Sequence, residues 1–185
     1  MLSYRMNIAG FDRDLPLCPL NDELFIGAFV IFGDPELTTA CARELLKKAP
    51  EYNYMIAPEA KSIPLIAEMA RLDGSRRYII ARKAPKLYMK DILKCEVKSI
   101  TTEAVQTLYI DGNDAALMKG KRIIIVDDVI STGESARAVE ELVKKAGGNV
   151  VGTMAVLAEG KAADRSDIIF LKKLPLFSKN GTPID

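Results

Sequence analysis

Two adjacent aspartates, Asp127 and Asp128, follow the most strand-like run in the chain, residues 123–126 (IIIV), and a Ser-Thr-Gly turn comes shortly after them. Ionised carboxylates only accept hydrogen bonds, so a pair of them suits a neutral diol and repels a neighbouring anion. The turn behaves differently. Ser131, Thr132 and Ser135 carry hydroxyl donors, and Gly133 lets a ligand approach the backbone. A helix starting there presents unpaired N–H groups and the positive end of its dipole, which favour a phosphate. Ribose 5-phosphate satisfies both halves, with the phosphate on the turn and the 2′- and 3′-hydroxyls on the aspartates.

The elements around this run must place it at a ligand-accessible edge. The all-apolar, β-branched stretch 123–126 reads as a strand covered on both faces. Residues 135–145 space Ala138, Val139, Leu142 and Val143 on one helical face, and Gly147-Gly148 stops that helix. Residues 150–158 form the next apolar strand, with a further short strand at 168–171. Upstream, Asp34-Pro35-Glu36 starts a helix over about residues 36–48, with Leu37, Cys41, Leu45 and Leu46 inward. A strand at 52–57, a polar break at Glu59-Ala60-Lys61-Ser62, a helix at 63–72 and a strand at 77–81 complete a βαβ order.

Residues 82–91 are basic and aperiodic, which predicts an exposed, mobile loop. A hairpin is expected from strands at 95–100 and 104–110 around Thr101-Thr102-Glu103, followed by a polar connection at 111–120. The first 35 residues read as irregular, with prolines at 16, 19 and 35; residues 24–32 are either a short strand or a hydrophobic flap.

Composition narrows the chemistry further. The chain of 185 residues contains no histidine, which excludes a Ser-His-Asp triad, an HExxH zinc site and a histidine proton shuttle. With 26 basic and 25 acidic residues, it carries no large positive field for nucleic acid. Cys18, Cys41 and Cys95 have no CxxC spacing and read as reduced thiols. No basic-then-apolar leader is present and no apolar run approaches about 18 residues. A cytoplasmic protein with no membrane contact is expected.

Residues 123–135 (IIIVDDVISTGES) resemble the phosphoribosyl pyrophosphate (PRPP) signature of the type I phosphoribosyltransferases. That pattern is four apolar residues, two acidic, two apolar, one small, Thr-Gly, any residue, then Ser or Thr. The similarity extends over about residues 34–159. Glu59-Ala60-Lys61-Ser62 stands where adenine-type members carry Glu-Ala-Arg-Gly, keeping the charge but losing the fork of arginine. Arg82, Lys83 and Lys86 resemble the stretch leading into the family's flexible catalytic loop.

The resemblance implies an α/β fold, a mostly parallel sheet flanked by helices, as a single domain over residues 1–185. The core would span about residues 36–159, with a small hood from about 1–35 and 160–185. It implies a pentosyltransferase of purine salvage that moves phosphoribosyl from PRPP to a purine base and releases pyrophosphate. Asp127, Asp128 and Lys86 would be catalytic. PRPP would rest on Glu59, Ala60, Lys61, Ser62, Arg82, Lys83, Ser131, Thr132, Gly133, Glu134 and Ser135. Glu96 and Lys98 would face the closed site. Mg2+ would arrive with PRPP and need no dedicated ligand cluster. A homodimer is expected, with the hairpin at 96–110 as a contact.

The base is read less directly. Phe29, Val30 and Phe32 could sandwich a purine, with Glu159 nearby, or the three could be core. Ser131 stands where hypoxanthine–guanine enzymes carry an aspartate. The places of the asparagine and lysine of xanthine enzymes fall near Val30 and Glu159-Gly160, which argues against xanthine recognition. The stretches ARK…KDILKCEVKSIT and VLAEG are closer to adenine and xanthine enzymes and to the purine-repressor domain, so adenine is the default. A PRPP-binding regulator without transfer and a pyrimidine or orotate enzyme remain open alternatives at this point.

Overall fold

The computed structural model describes residues 2–75, 77–98 and 105–184. The chain opens on a hairpin, β1 (Ser3–Ile8) and β2 (Phe11–Pro19), rather than the irregular start expected. Met6, Ile8, Leu15 and Leu17 are buried with polar residues between them, so the period-two signal was present but interrupted by Pro16 and Pro19. Ala9 and Gly10 both take positive φ (49° and 91°), the two-residue turn whose twist matches a hairpin. β3 (Leu24–Gly27) then pairs with β2, and residues 28–34 run on without regular structure.

Asp34 caps α1 (Pro35–Lys48) by accepting from the Leu37 N–H at 3.0 Å. Arg13 of β2 grips the same carboxylate, Nε to Oδ2 at 2.6 Å and Nη2 to Oδ1 at 3.1 Å. The N-terminal hairpin is thereby tied to the start of the first helix. There follow β4 (Tyr54–Pro58), α2 (Ile63–Asp73), β5 (Ile79–Ala81), β6 (Leu93–Lys98) and β7 (Val105–Ile110). The turn expected at Thr101-Thr102-Glu103 lies outside the described residues.

Residues 111–120, read as a plain connection, contain α3 (Gly112–Met118). Asp111 caps it, accepting from the Asn113 N–H at 2.9 Å, and Met118 is its buried anchor. A helix this short, with a glycine and two polar residues at its start, shows little helical period. The chain continues through β8 (Arg122–Ile130), α4 (Glu134–Lys145) and β9 (Asn149–Glu159). A short 3-10 helix (Gly160–Asp164), β10 (Ile168–Leu174), β11 (Leu176–Ser178) and β12 (Pro183–Ile184) complete it.

The central sheet is parallel, in the order β10-β9-β8-β4-β5. Alternation sorts its side chains to two faces. Met55, Ala57, Ile124, Val126, Met154 and Val156 pack with α1, α2 and the N-terminal hairpin. Ile56, Ile79, Ile123 and Ile125 pack with α3, α4 and the β6–β7 hairpin. A second, antiparallel sheet, β1-β2-β3-β11-β12, joins the two ends of the chain. β10 belongs to the central sheet, so the C-terminal share of this hood is β11 and β12. Among the described residues no helix is long and apolar enough to cross a membrane.

Candidate active site

β4 and β8 are neighbours, yet the chain leaves β4 toward one edge of the sheet and β8 toward the other. Their carboxyl ends therefore flank the topological switch point, where open α/β sheets bind ligands. Pairing between them runs from Tyr54↔Ile123 to Ile56↔Ile125 and stops. On its other side β8 stays paired to β9 as far as Ile130↔Ala158. The strand thus extends past the aspartates instead of ending before them. Beyond Ile125 its β4 side is open to the turn at residues 59–62.

Asp127 and Asp128 are both buried, at 6% and 4% exposure. Ser62, at the start of α2, leaves its own helix end uncapped and donates its hydroxyl to Asp127 Oδ1 at 2.7 Å. The Asp128 N–H donates to the same oxygen at 2.9 Å. Burial, reinforced by the charge of Asp128, pushes the Asp127 carboxyl well above the usual carboxylate range, while the Ser62 hydroxyl pulls it back. Lys61 Nζ lies 3.0 Å from Asp128 Oδ2, but without the alignment of a hydrogen bond, so that buried oxygen has no hydrogen-bond partner.

The Glu59–Ala60 peptide in this turn is cis. Glu59 faces away from the aspartates. Its carboxylate accepts from the Lys83 N–H at 3.0 Å and pairs with Arg82 Nε at 3.2 Å. Arg82 in turn exchanges backbone hydrogen bonds of 2.8 Å with Tyr109. The basic stretch is therefore moored at its first residues. Lys86 is not drawn into the cluster: its backbone bonds run to Met89, within the segment. Glu96 pairs with Lys94 at 2.9 Å on the hairpin surface, and the side chain of Lys98 lies outside the described residues.

After β8, Gly133 takes φ 77° and starts α4. The Glu134 N–H donates to Thr132 Oγ1 at 3.4 Å. A concavity of about 50 Å3 is lined by Asp127 and by residues 129–136. Ser131, Thr132, Gly133, Glu134 and Ser135 thus form one cradle at a helix N-terminus, directly beside Asp127.

A larger cavity of about 730 Å3 adjoins it, sharing Ser131 and Thr132. Leu20, Ile26 and Leu176 of the hood form its apolar wall, and Glu159, Lys161 and Arg165 its polar one. Burial raises the Glu159 carboxyl, opposed by the charge of Lys61. Of the four residues expected to hold a base, only Glu159 lines this cavity. Phe29 is instead buried in the main core, and Val30 and Phe32 are about half exposed elsewhere. At the end of the run 24–32 the exposed Val30 and Phe32 alternate with the buried Phe29 and Ile31. Leu20, Ile26, Leu176, Lys161 and Arg165 went unnoticed; only recognition of the first hairpin would have brought the two chain ends together over the site.

The phosphoribosyl transferase domain model matches residues 42–180. The chain is 30% identical over 154 residues to the adenine phosphoribosyltransferase of Kosmotoga olearia, covering 82% of this chain and 87% of that one. It is 32% identical over 156 residues to the adenine phosphoribosyltransferase of Thermosipho melanesiensis, covering 83% and 85%. The crystal structure of adenine phosphoribosyltransferase from Thermoanaerobacter pseudethanolicus superposes with a TM-score of 0.71 at 25% identity, over 86% of this chain and 95% of that one. In sequence and in fold, the chain belongs to the phosphoribosyltransferase family.

Proposed function

We propose that the protein, working as a single domain, transfers the phosphoribosyl group of PRPP to a purine base, adenine, with release of pyrophosphate. The observation that carries this reading is the joining of two buried carboxylates, a cation and a phosphate cradle at one switch point. The 5′-phosphate sits on residues 131–135. Asp127 and Asp128 accept hydrogen bonds from the ribose hydroxyls. Lys61, with Arg82 and Lys83 behind it, faces the pyrophosphate. The base enters the cavity between hood and core, where Glu159 offers a polar edge against the apolar wall of Leu20, Ile26 and Leu176.

In the reaction a base nitrogen forms its bond to C1 of the ribose and gives up its proton, which the departing pyrophosphate takes up. Pyrophosphate departs with the electron pair of the C1–O bond. As that bond breaks, the ring gains oxocarbenium character, which nearby carboxylates stabilise. The cations stabilise the departing pyrophosphate, a polyanion that gains a further negative charge as the C1–O bond breaks. Lys86 and its neighbours would close over the leaving group and exclude water.

Magnesium fits this arrangement. Among the described residues no group of three or more acidic or thiol side chains is placed to hold a metal. However, Asp128 Oδ2 is buried without a hydrogen-bond partner. An ion carried in on phosphates needs only one or two carboxylates besides. Asp127 and Asp128 would hold it, and it would neutralise the pyrophosphate.

The test is steady-state turnover with PRPP and Mg2+ and a panel of adenine, hypoxanthine, guanine, xanthine, orotate and uracil. Adenine is expected to give AMP and pyrophosphate and the others to be poor. Turnover of a different base would move the specificity. No turnover with any of them, alongside intact PRPP binding, would make the protein a PRPP sensor.

A further inference from the structure

Arg165 follows the short 3-10 helix, outside the signature run, and its guanidinium reaches the phosphate cradle. A Cβ added to Gly133 would meet Arg165 Nη1 at 2.5 Å and Cζ at 3.7 Å. Nη1 is therefore the guanidinium atom turned toward the start of α4. The other two nitrogens are held from the opposite side. Nε donates to Asp167 Oδ1 at 2.9 Å and Nη2 to Asp167 Oδ2 at 2.6 Å. A planar fork fixed on two nitrogens gives the third a defined direction, something a lysine ammonium cannot do. Arg165 also lines the large cavity together with Ser131 and Thr132, and both of those residues line the cradle as well.

The electrostatics call for such a group. A sugar phosphate carries close to two negative charges, and the cradle lies beside the Asp127 carboxyl with Glu134 in the first turn of α4. The run itself contributes N–H and hydroxyl donors but no cation. We propose that Arg165 clamps the 5′-phosphate, donating from Nη1 to a phosphate oxygen seated on residues 131–135, with Asp167 as the positioning residue. Gly133 then has a second role besides its positive φ: any side chain there would displace the clamp. The clamp rests on the PRPP reading and adds to it a contact from the C-terminal part of the chain.

Calorimetry with ribose 5-phosphate and, separately, inorganic pyrophosphate tests it on wild type, Arg165→Met, Arg165→Lys and Asp167→Asn. Arg165→Met should weaken ribose 5-phosphate by about 10–100-fold, the worth of a charge-assisted hydrogen bond, and leave pyrophosphate unchanged. Arg165→Lys should recover only part of that loss. Asp167→Asn should lose several-fold, because the fork is no longer held. Arg165 is 39% exposed, so none of these changes empties the core, and melting curves should overlay. The clamp is overturned if Arg165→Met binds ribose 5-phosphate as tightly as wild type, or loses both ligands equally. If wild type binds no ribose 5-phosphate, the PRPP reading falls and the clamp with it.

Discussion

The Ser62 hydroxyl donates to Asp127 across 2.7 Å, joining the turn after one strand to the carboxylate of its neighbour. In the proposed site this buried bond would couple the pyrophosphate side of the cleft to the ribose side. Ser62→Ala would remove the donor and leave a buried carboxyl oxygen short of a partner. Destabilisation of about 1–3 kcal/mol is predicted, read from urea midpoints. The same change raises the Asp127 carboxyl further, so the pH at which PRPP binding reaches half its maximum should move upward.

Asp127 predicts opposite pH trends for stability and affinity. Its carboxyl is raised in the folded protein, chiefly by burial. Above the ordinary carboxylate value the unfolded chain has lost a proton that the native state still holds. Stability from this group therefore falls as pH rises through that window and levels off once the native carboxyl ionises. PRPP affinity should rise over the upper part of the same window, because an ionised carboxylate is the better acceptor for ribose hydroxyls. Asp127→Asn should flatten the stability slope and weaken binding at the upper end of the range, converging with wild type where the native carboxyl is protonated. Urea midpoints and calorimetry between pH 4 and pH 8 on both proteins supply the comparison.

Lys61 stands beside Asp128 and its charge is felt at Glu159, so in the proposed site it would serve both the ribose and the base. Lys61→Met should raise the KM for PRPP on the order of tenfold or more, by loss of a charge-assisted contact to pyrophosphate. Lys61→Arg keeps the charge and should stay within a few-fold of wild type. Equal losses in both variants would show that shape, not charge, governs this position.

The basic segment after β5 is pinned at its far end as well. Lys90 N–H donates to Asp111 Oδ2 at 2.8 Å, and Gly112 N–H to Lys90 O at 2.8 Å. A Cβ on Gly112 would fall 2.7 Å from Asp91 Cβ and 2.9 Å from the carbonyl oxygens of Asp91 and Lys90. Gly112→Ala should therefore cost about 1–3 kcal/mol, by the strain of overpacking. It should also raise the KM for PRPP, since the mooring of the loop that carries Lys86 is disturbed. Unchanged stability would mean that the backbone at residues 90–91 yields freely.

The central sheet is legible because its strands are apolar and punctuated, and because the run 123–135 joins strand, carboxylates and turn in one piece. Local sequence also placed Ser131, Thr132 and Gly133 beside the aspartates. What it could not convey was contact between distant segments. Ser62 against Asp127, Glu59 against Arg82 and Arg165 over Gly133 each depend on which strands are neighbours. The large cavity between hood and core is hidden from the sequence for the same reason. Leu20 and Leu176 lie at opposite ends of the chain and meet only because β3 and β11 pair across Phe25↔Phe177. The aromatic ring of Phe29 suits a base or the core equally in sequence, and in the fold it is part of the core.

In the proposed function, two buried carboxylates and the adjoining cradle form a PRPP seat. Calorimetric titration of PRPP with Mg2+ into wild type and into the Asp127→Asn, Asp128→Asn double variant tests it directly. Wild type should bind, and the double variant, if folded by its melting curve, should bind at least about tenfold more weakly through lost charge-assisted bonds to the ribose. Equal affinity of the two proteins for PRPP would contradict the assignment and remove the aspartates from the site.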